Sequence, residues 1–285
     1  MALRAITLDQ LTIEDETSLE RVALYGRLKQ ALRRSGHRFL IPATDGGLSW
    51  DRALFLNLTY WSGDSAADVL CNGHVAADEI GHMAWHHVVG RELARQAGGE
   101  AGPASAEALF FSESIASAFD LYLIGRLVES APDSDFITTQ VPLIAERALD
   151  AGLSSAAFGR LIEDVCREPE RAFEDMRALL LDVANALLAC RGPEAAQSAL
   201  ERFAGHRFEP LLHHFEISNW ILYARAYGAR SADPQAGAGV DVDVDVDVDL
   251  NVRRIDALLR RSASALGWLD EHWIDADLPV AGGGP

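Results

Sequence analysis

Apolar residues recur at helical spacing along most of this chain, and the polar positions between them mark where one helix stops and the next begins. Residues 14–34 (EDETSLERVALYGRLKQALRR) open acidic and close basic, which suits a helix dipole, and Gly36 supplies a natural stop. The stretch 37–50 reads as a loop with a short extended piece at Phe39–Ile41. Residues 51–61 (DRALFLNLTYW) are apolar enough for either a helix or a buried strand. A long helical pattern runs from about Ala66 to Ala97, ended by GGEAGP, and a second from about Ala104 to Glu129, ended by SAPDSD. Shorter helices follow at 141–151, 154–167, 170–190, 193–204 and 210–228, punctuated by Gly152, Pro169, Gly192-Pro193 and Pro210. The pattern predicts an all-α protein, a multi-helix bundle built on a long central helical hairpin.

The pattern fails once. Residues 1–230 read as the helical domain, 231–250 as a low-complexity acidic insertion, and 251–275 as a C-terminal helix that packs on the same domain, ahead of a disordered AGGGP tail. VDVDVDVDVDL alternates as a strand would, but aspartates lined up on one face repel one another, so a solvated segment is expected. A calcium-binding strip would need turn glycines and converging ligands that this run lacks.

Composition narrows the function classes. A net charge of −18 repels a phosphate backbone and excludes nucleic acid as a partner. No run of about 18 uncharged apolar residues is present, so no membrane span is expected. The N-terminus turns acidic at once and lacks the apolar stretch of a secretory signal. Cys71, Cys166 and Cys190 are scattered, with no CxxC, as in the reduced thiols of a cytoplasmic protein. A small-molecule substrate and a second copy of the chain are the partners left open, since the apolar faces suit either a pocket or a homo-oligomer interface. No phosphate loop, dinucleotide fingerprint or nucleophile elbow occurs.

The chemistry concentrates in HVAADEIGHMAWHH, where His74, His82, His86 and His87 fall close together. On a helix, Glu79, His82 and His86 project within about 60° of one another. Asp78 lies four residues from both His74 and His82, placed to accept a ring N–H from either as an outer partner. The second long helix adds Glu113 and Asp120, two turns apart in an otherwise apolar stretch where an unpaired charge would be costly. If GGEAGP joins an antiparallel hairpin, counting outward from residue 100 sets 113 beside 87 and 120 beside 80, level with the histidines. Glu79, His82, His86, Glu113 and Asp120 are therefore the candidate metal ligands, with Asp78 and His74 behind them. Against this stands a structural polar network made of the same residues. Downstream, His206, Glu209, His213 and Glu216 keep a heptad-like rhythm, and His206 and His213 are candidates for further ligands.

DEIGH resembles the DExxH element of ferritin-like di-iron carboxylate proteins and of the related haem-oxygenase-like di-iron oxidases. That resemblance implies iron bound by Glu79, His82 and Glu113, Asp78 behind His82, and Glu16 or Glu20 from the first helix, although a second ExxH is absent. The implied function is a non-haem di-iron oxygenase or oxidase acting on a small organic substrate. A second resemblance runs to gluzincin metallopeptidases: SESIASAFDLY is similar to the segment that carries their third zinc ligand, and AADEIGHMAWH to their HExxH helix, with Asp78 at the first histidine position. It implies zinc on His82 and Glu113 and Glu79 as the residue that activates water. A non-catalytic helical interaction protein is the third expectation.

Overall fold

Leu19 and Leu28 are nine residues apart, which sets them on opposite sides of a straight helix at about 100° per residue, yet both are fully buried. The chain reconciles the two by breaking the helix expected over 14–34. Helix α1 (Glu16–Leu19) and helix α2 (Ala23–Ser35) are separated by a turn in which Val22 is extended, φ −94° and ψ 103°. Gly36 closes α2 in the left-handed region at φ 64°, where a side chain would be strained.

The computed structural model describes residues 3–42, 54–56, 59–62, 65–68, 70, 73–96, 105–231 and 243–274. The protein is an all-α multi-helix bundle, and the described residues of its N-terminal end form three small sheets. Strand β1 (Leu3–Thr7) pairs antiparallel with β3 (Arg38–Pro42), so the extended piece around Phe39–Ile41 has a partner that periodicity alone does not reveal. Strand β2 (Thr12–Glu14) pairs in parallel with β7 (His74–Ala76). Between them β4 (Leu54–Leu56), β5 (Thr59–Ser62) and β6 (Ser65–Asp68) form an antiparallel meander, which puts the described residues of the ambiguous 51–61 stretch, 54–56 and 59–61, on strands.

The long helix expected from Ala66 begins instead at Ala77: helix α3 spans Ala77–Gln96. β6 and β7 take up the preceding residues because both find backbone partners there. Asp78 and Glu79 in the first turn of α3 suit its positive end. Helix α4 (Ala106–Leu127) starts where the Ser105 hydroxyl accepts the Ala108 N–H at 3.1 Å. It is apolar nearly all round, as a helix at the centre of a core must be. Among the described residues α4 alone is long and apolar enough to cross a membrane, and 78% of that stretch is buried inside the fold. The GGEAGP connection between α3 and α4 lies outside the described residues.

Around α4 pack α5 (Asp135–Asp150), α6 (Ser155–Arg167), α7 (Pro169–Leu188) and, after α8 (Pro193–Glu201), α9 (Ile217–Ser231). The expected helix over 210–228 is two pieces. Glu209–Phe215 is a 3-10 segment, and Glu216, in the left-handed region at φ 47°, separates it from α9. The C-terminal helix also differs from expectation: α10 spans Asp243–Leu259, starting inside the Val-Asp run, and α11 (Ala265–Leu269) and a π-helical turn (Asp270–Ile274) follow. The rest of the insertion, 232–242, and the tail from 275 lie outside the described residues. Val252, Ile255, Leu266, Trp273 and Ile274 join the same buried core as α3 and α4.

Candidate metal centre

Helices α3 and α4 lie against each other so that three side chains converge. Glu113, 5% exposed, presents Oε2 3.6 Å from His82 Nε2 and 3.5 Å from His86 Nε2. The two imidazoles, one turn apart on α3, have ring centroids 4.7 Å apart. One donor atom from each of His82, His86 and Glu113 lies within 4.8 Å of the others. These gaps are too long for good direct hydrogen bonds. They match the roughly 3.4 Å between neighbouring donors held about 2.1 Å from a tetrahedral ion. His86 Nε2 is buried and has no hydrogen-bond partner, an orphan that a cation would satisfy. Two imidazoles and a carboxylate form a donor set that fits a divalent transition metal.

Behind the triad stands Asp120. Its Oδ2 is 3.7 Å from His82 Nδ1, on the opposite side of the ring from Glu113. A carboxylate there orients the ring and leaves Nε2 facing the triad. Asp120, expected as a ligand, therefore occupies the outer position expected of Asp78. Asp78 and Glu79 instead line the cleft that opens beside His82, with Ser117 and Gln140.

Charge is strongly shaped here. Burial alone would push the His82 imidazole down, but the adjacent Asp120 and Glu113 carboxylates outweigh it and lift His82 to about 10. Burial would also raise Glu113, yet the His86 and His82 rings hold it well below the usual carboxylate range. Asp78 is raised to about 7, chiefly by burial and then by the nearby Asp120. Burial raises Glu79 as well. Perturbed carboxyl groups beside a donor triad in a cleft mark this as a functional-site candidate.

Other candidates lie elsewhere. His74 is the exposed residue of β7, with Nδ1 3.5 Å from Glu14, so it does not stand behind His82. Glu16 pairs with Lys29 and accepts the Tyr25 hydroxyl at 3.2 Å, which removes it as a first-helix ligand. His206 turns its Nδ1 to the Phe208 N–H at 3.2 Å, capping a local turn. His213 is exposed and lines a separate cavity. Its neighbour His214 is the one that reaches the cleft, with Glu216 and Trp220. Burial pushes His214 down. The His213-His214 doublet was the available signal. Helical spacing selected the wrong member because a 3-10 segment turns in three residues rather than 3.6 and the chain breaks at Glu216. His87 faces away from the triad, tilted on His37 with centroids 4.7 Å apart. Its pKa is pushed down to about 4 by burial and by the charges of His37 and Arg91.

No protein family, curated protein or solved structure matches this chain, so its functional reading stands on the geometry of this centre.

Proposed function

We propose that the chain is a metal-dependent hydrolase with a single-ion centre, zinc being the ion its donors suit. One observation carries the reading: the donor atoms of His82, His86 and Glu113 converge within 4.8 Å beside a cleft lined by Glu79. Catalytic zinc sites use three protein ligands of this kind and leave a coordination position for water or substrate. When bound, the ion would lower the pKa of a water and polarise a carbonyl. The chain's own residues handle the protons. Glu79, half-buried with a raised pKa, accepts the proton of the attacking water. Asp78, titrating near 7, is a carboxyl able to return a proton to the leaving group. Asp120, beside His82 Nδ1, would orient the ring so that Nε2 is the nitrogen offered to an ion.

This reading displaces the di-iron oxidase as first choice. Two irons in a helical bundle call for two Glu-x-x-His elements and further carboxylates. Among the described residues one three-donor group is found. A cleft of carboxyls, imidazoles and amides also suits proton transfer better than oxidation of an apolar molecule. We place the protein in the cytoplasm because Cys166 and Cys190 are free and only half-buried, as a reducing compartment permits.

Metal analysis of freshly purified protein tests the proposal. About one zinc per chain is expected, lost in His86→Ala and Glu113→Ala while the helical circular dichroism persists. Ester or amide hydrolysis should disappear with chelator and return with zinc. Full metal occupancy in both variants would reject the centre. Iron with oxygen consumption would restore the oxidase reading, and metal-free protein indifferent to Glu113→Ala would leave a purely structural network.

A further inference from the structure

Beside the cleft lies a second cavity of about 320 Å³ whose apolar wall is Val183, Leu187, Leu200, Leu212 and Ile217. That volume is at the lower end of small-molecule sites and ample for one apolar side chain. Glu216 belongs to the linings of both this cavity and the cleft over His82 and Glu113. Successive residues of one 3-10 segment divide between the two: Leu212 and His213 face the cavity, His214 and Phe215 the cleft.

Glu216 is also one of two described residues, with Asp15, that are not glycine and have positive φ, here 47°. Such a conformation is strained and persists where the surroundings demand it. Its Oε2 accepts the Asn219 amide at 2.7 Å, which fixes the carboxylate. Glu209 adds a second carboxylate to the cavity lining, and neither lysine nor arginine lines either space.

We infer that this cavity is the specificity pocket of the proposed hydrolase and that it takes the apolar side chain of an amine-bearing substrate, whose ammonium group pairs with Glu216. The inference rests on the metal-hydrolase reading for the reaction but not for the binding. The apolar wall recognises the hydrocarbon, Glu216 recognises the cation at the junction, and the acyl bond is thereby delivered toward Glu79. Anionic and purely polar substrates are rejected, the first by charge and the second by loss of apolar contact.

The test measures binding of leucinamide both to the chelator-stripped protein, which cannot turn it over, and to the zinc-loaded protein before turnover, through the fluorescence of Trp220, which lines the cleft and is 2% exposed. A Trp220→Phe control identifies its signal. Leucinamide should bind 10- to 100-fold more tightly than glycinamide, the worth of burying a leucine side chain (roughly). It should also bind more tightly than N-acetyl-leucinamide, which lacks the charge. Leu212→Trp, which puts an indole into the apolar wall, should weaken the leucine preference while zinc content stays full. Glu216→Gln, equal in size and still able to accept from Asn219, should erase the preference for the free amine alone. Equal binding of leucinamide and glycinamide, or a preference untouched by Leu212→Trp, overturns the inference. The two readings fail separately: loss of zinc binding with the leucine preference intact rejects only the hydrolase, and active zinc enzyme without that preference rejects only the pocket.

Discussion

A carboxylate held against the far nitrogen of a ligating imidazole fixes both tautomer and ring orientation, and Asp120 stands in that position behind His82. Asp120→Asn should therefore weaken zinc binding about 10- to 100-fold without removing a ligand or unfolding the protein. Competition against a chelator of known affinity measures this. Unchanged affinity would mean that the ring is held by packing alone. The same contacts set a pH dependence in the metal-free protein. His82 is raised from 6.5 to about 10 by Asp120 and Glu113 against the effect of burial. Its contribution to stability is thus complete below pH 6.5 and is lost as pH rises through about 10. The stability gap between metal-free wild type and His82→Gln should be widest at pH 6 and should close toward pH 10. Denaturant melts across that range decide it, and a gap that widens with pH contradicts the assignment. Glu113 acts in the other sense. Its depressed pKa gives stability present above about 4.5 and lost as acid protonates it.

Helix packing sets how closely α4, which carries Glu113 and Asp120, can approach its neighbours. A Cβ added at Gly125 of α4 would meet the Val165 carbonyl of α6 at 2.7 Å and Pro169 Cβ of α7 at 2.9 Å. Gly125→Ala should destabilise by about 1–3 kcal/mol, even though alanine favours a helix by roughly 1 kcal/mol. Urea denaturation checks the sign, and a variant as stable as wild type would show that α4 is free to move. The α3–α4 relationship was the most legible part of the site. Counting outward from GGEAGP sets 113 level with 87, and Glu113 in fact faces His86 and His82, because two antiparallel helices share one rise per residue. The start of α3 was not legible. Residues 66–76 carry helix-friendly alanines, and only the non-local pairing of His74–Ala76 with Thr12–Glu14 makes β7 a strand. His74 went with it, and so did its supposed place behind His82. His214 stayed hidden for a related reason: the left-handed Glu216 and the 3-10 geometry before it are products of packing against α5, not of periodicity.

At the scale of the whole molecule, the C-terminal segment is tied to the bundle by buried charge as well as by apolar contact. Arg177 of α7 is 0% exposed. It donates to both oxygens of Glu174, at 3.0 and 2.7 Å, and to Asp256 of α10 at 2.8 Å. Arg260 extends the network by donating to Asp256 and to Asp182 of α7. The Arg177 guanidinium lies 6.0 Å from the Phe111 ring of α4, and Phe111 in turn meets Trp273 edge-on. The Arg91 side chain of α3 donates to the Trp273 carbonyl at 2.9 Å. One network therefore holds α10 and the residues after it against both helices of the candidate metal centre. An interior ion pair gives little net stability over an apolar replacement of equal shape, but removing one partner leaves the others buried and uncompensated. Arg177→Met should accordingly cost up to about 3–5 kcal/mol, because Glu174 loses the guanidinium that holds both its oxygens, while Asp256 keeps Arg260. The loss should also be local before it is global. Amide exchange in 243–274 should accelerate more than in the centre of α4, since the apolar contacts of α4 with α7 survive the substitution. A cost below about 1 kcal/mol, the scale of an exposed pair, or an acceleration spread evenly over all helices, would show that Arg177 is solvated in solution and that the C-terminal segment is held by its apolar face alone.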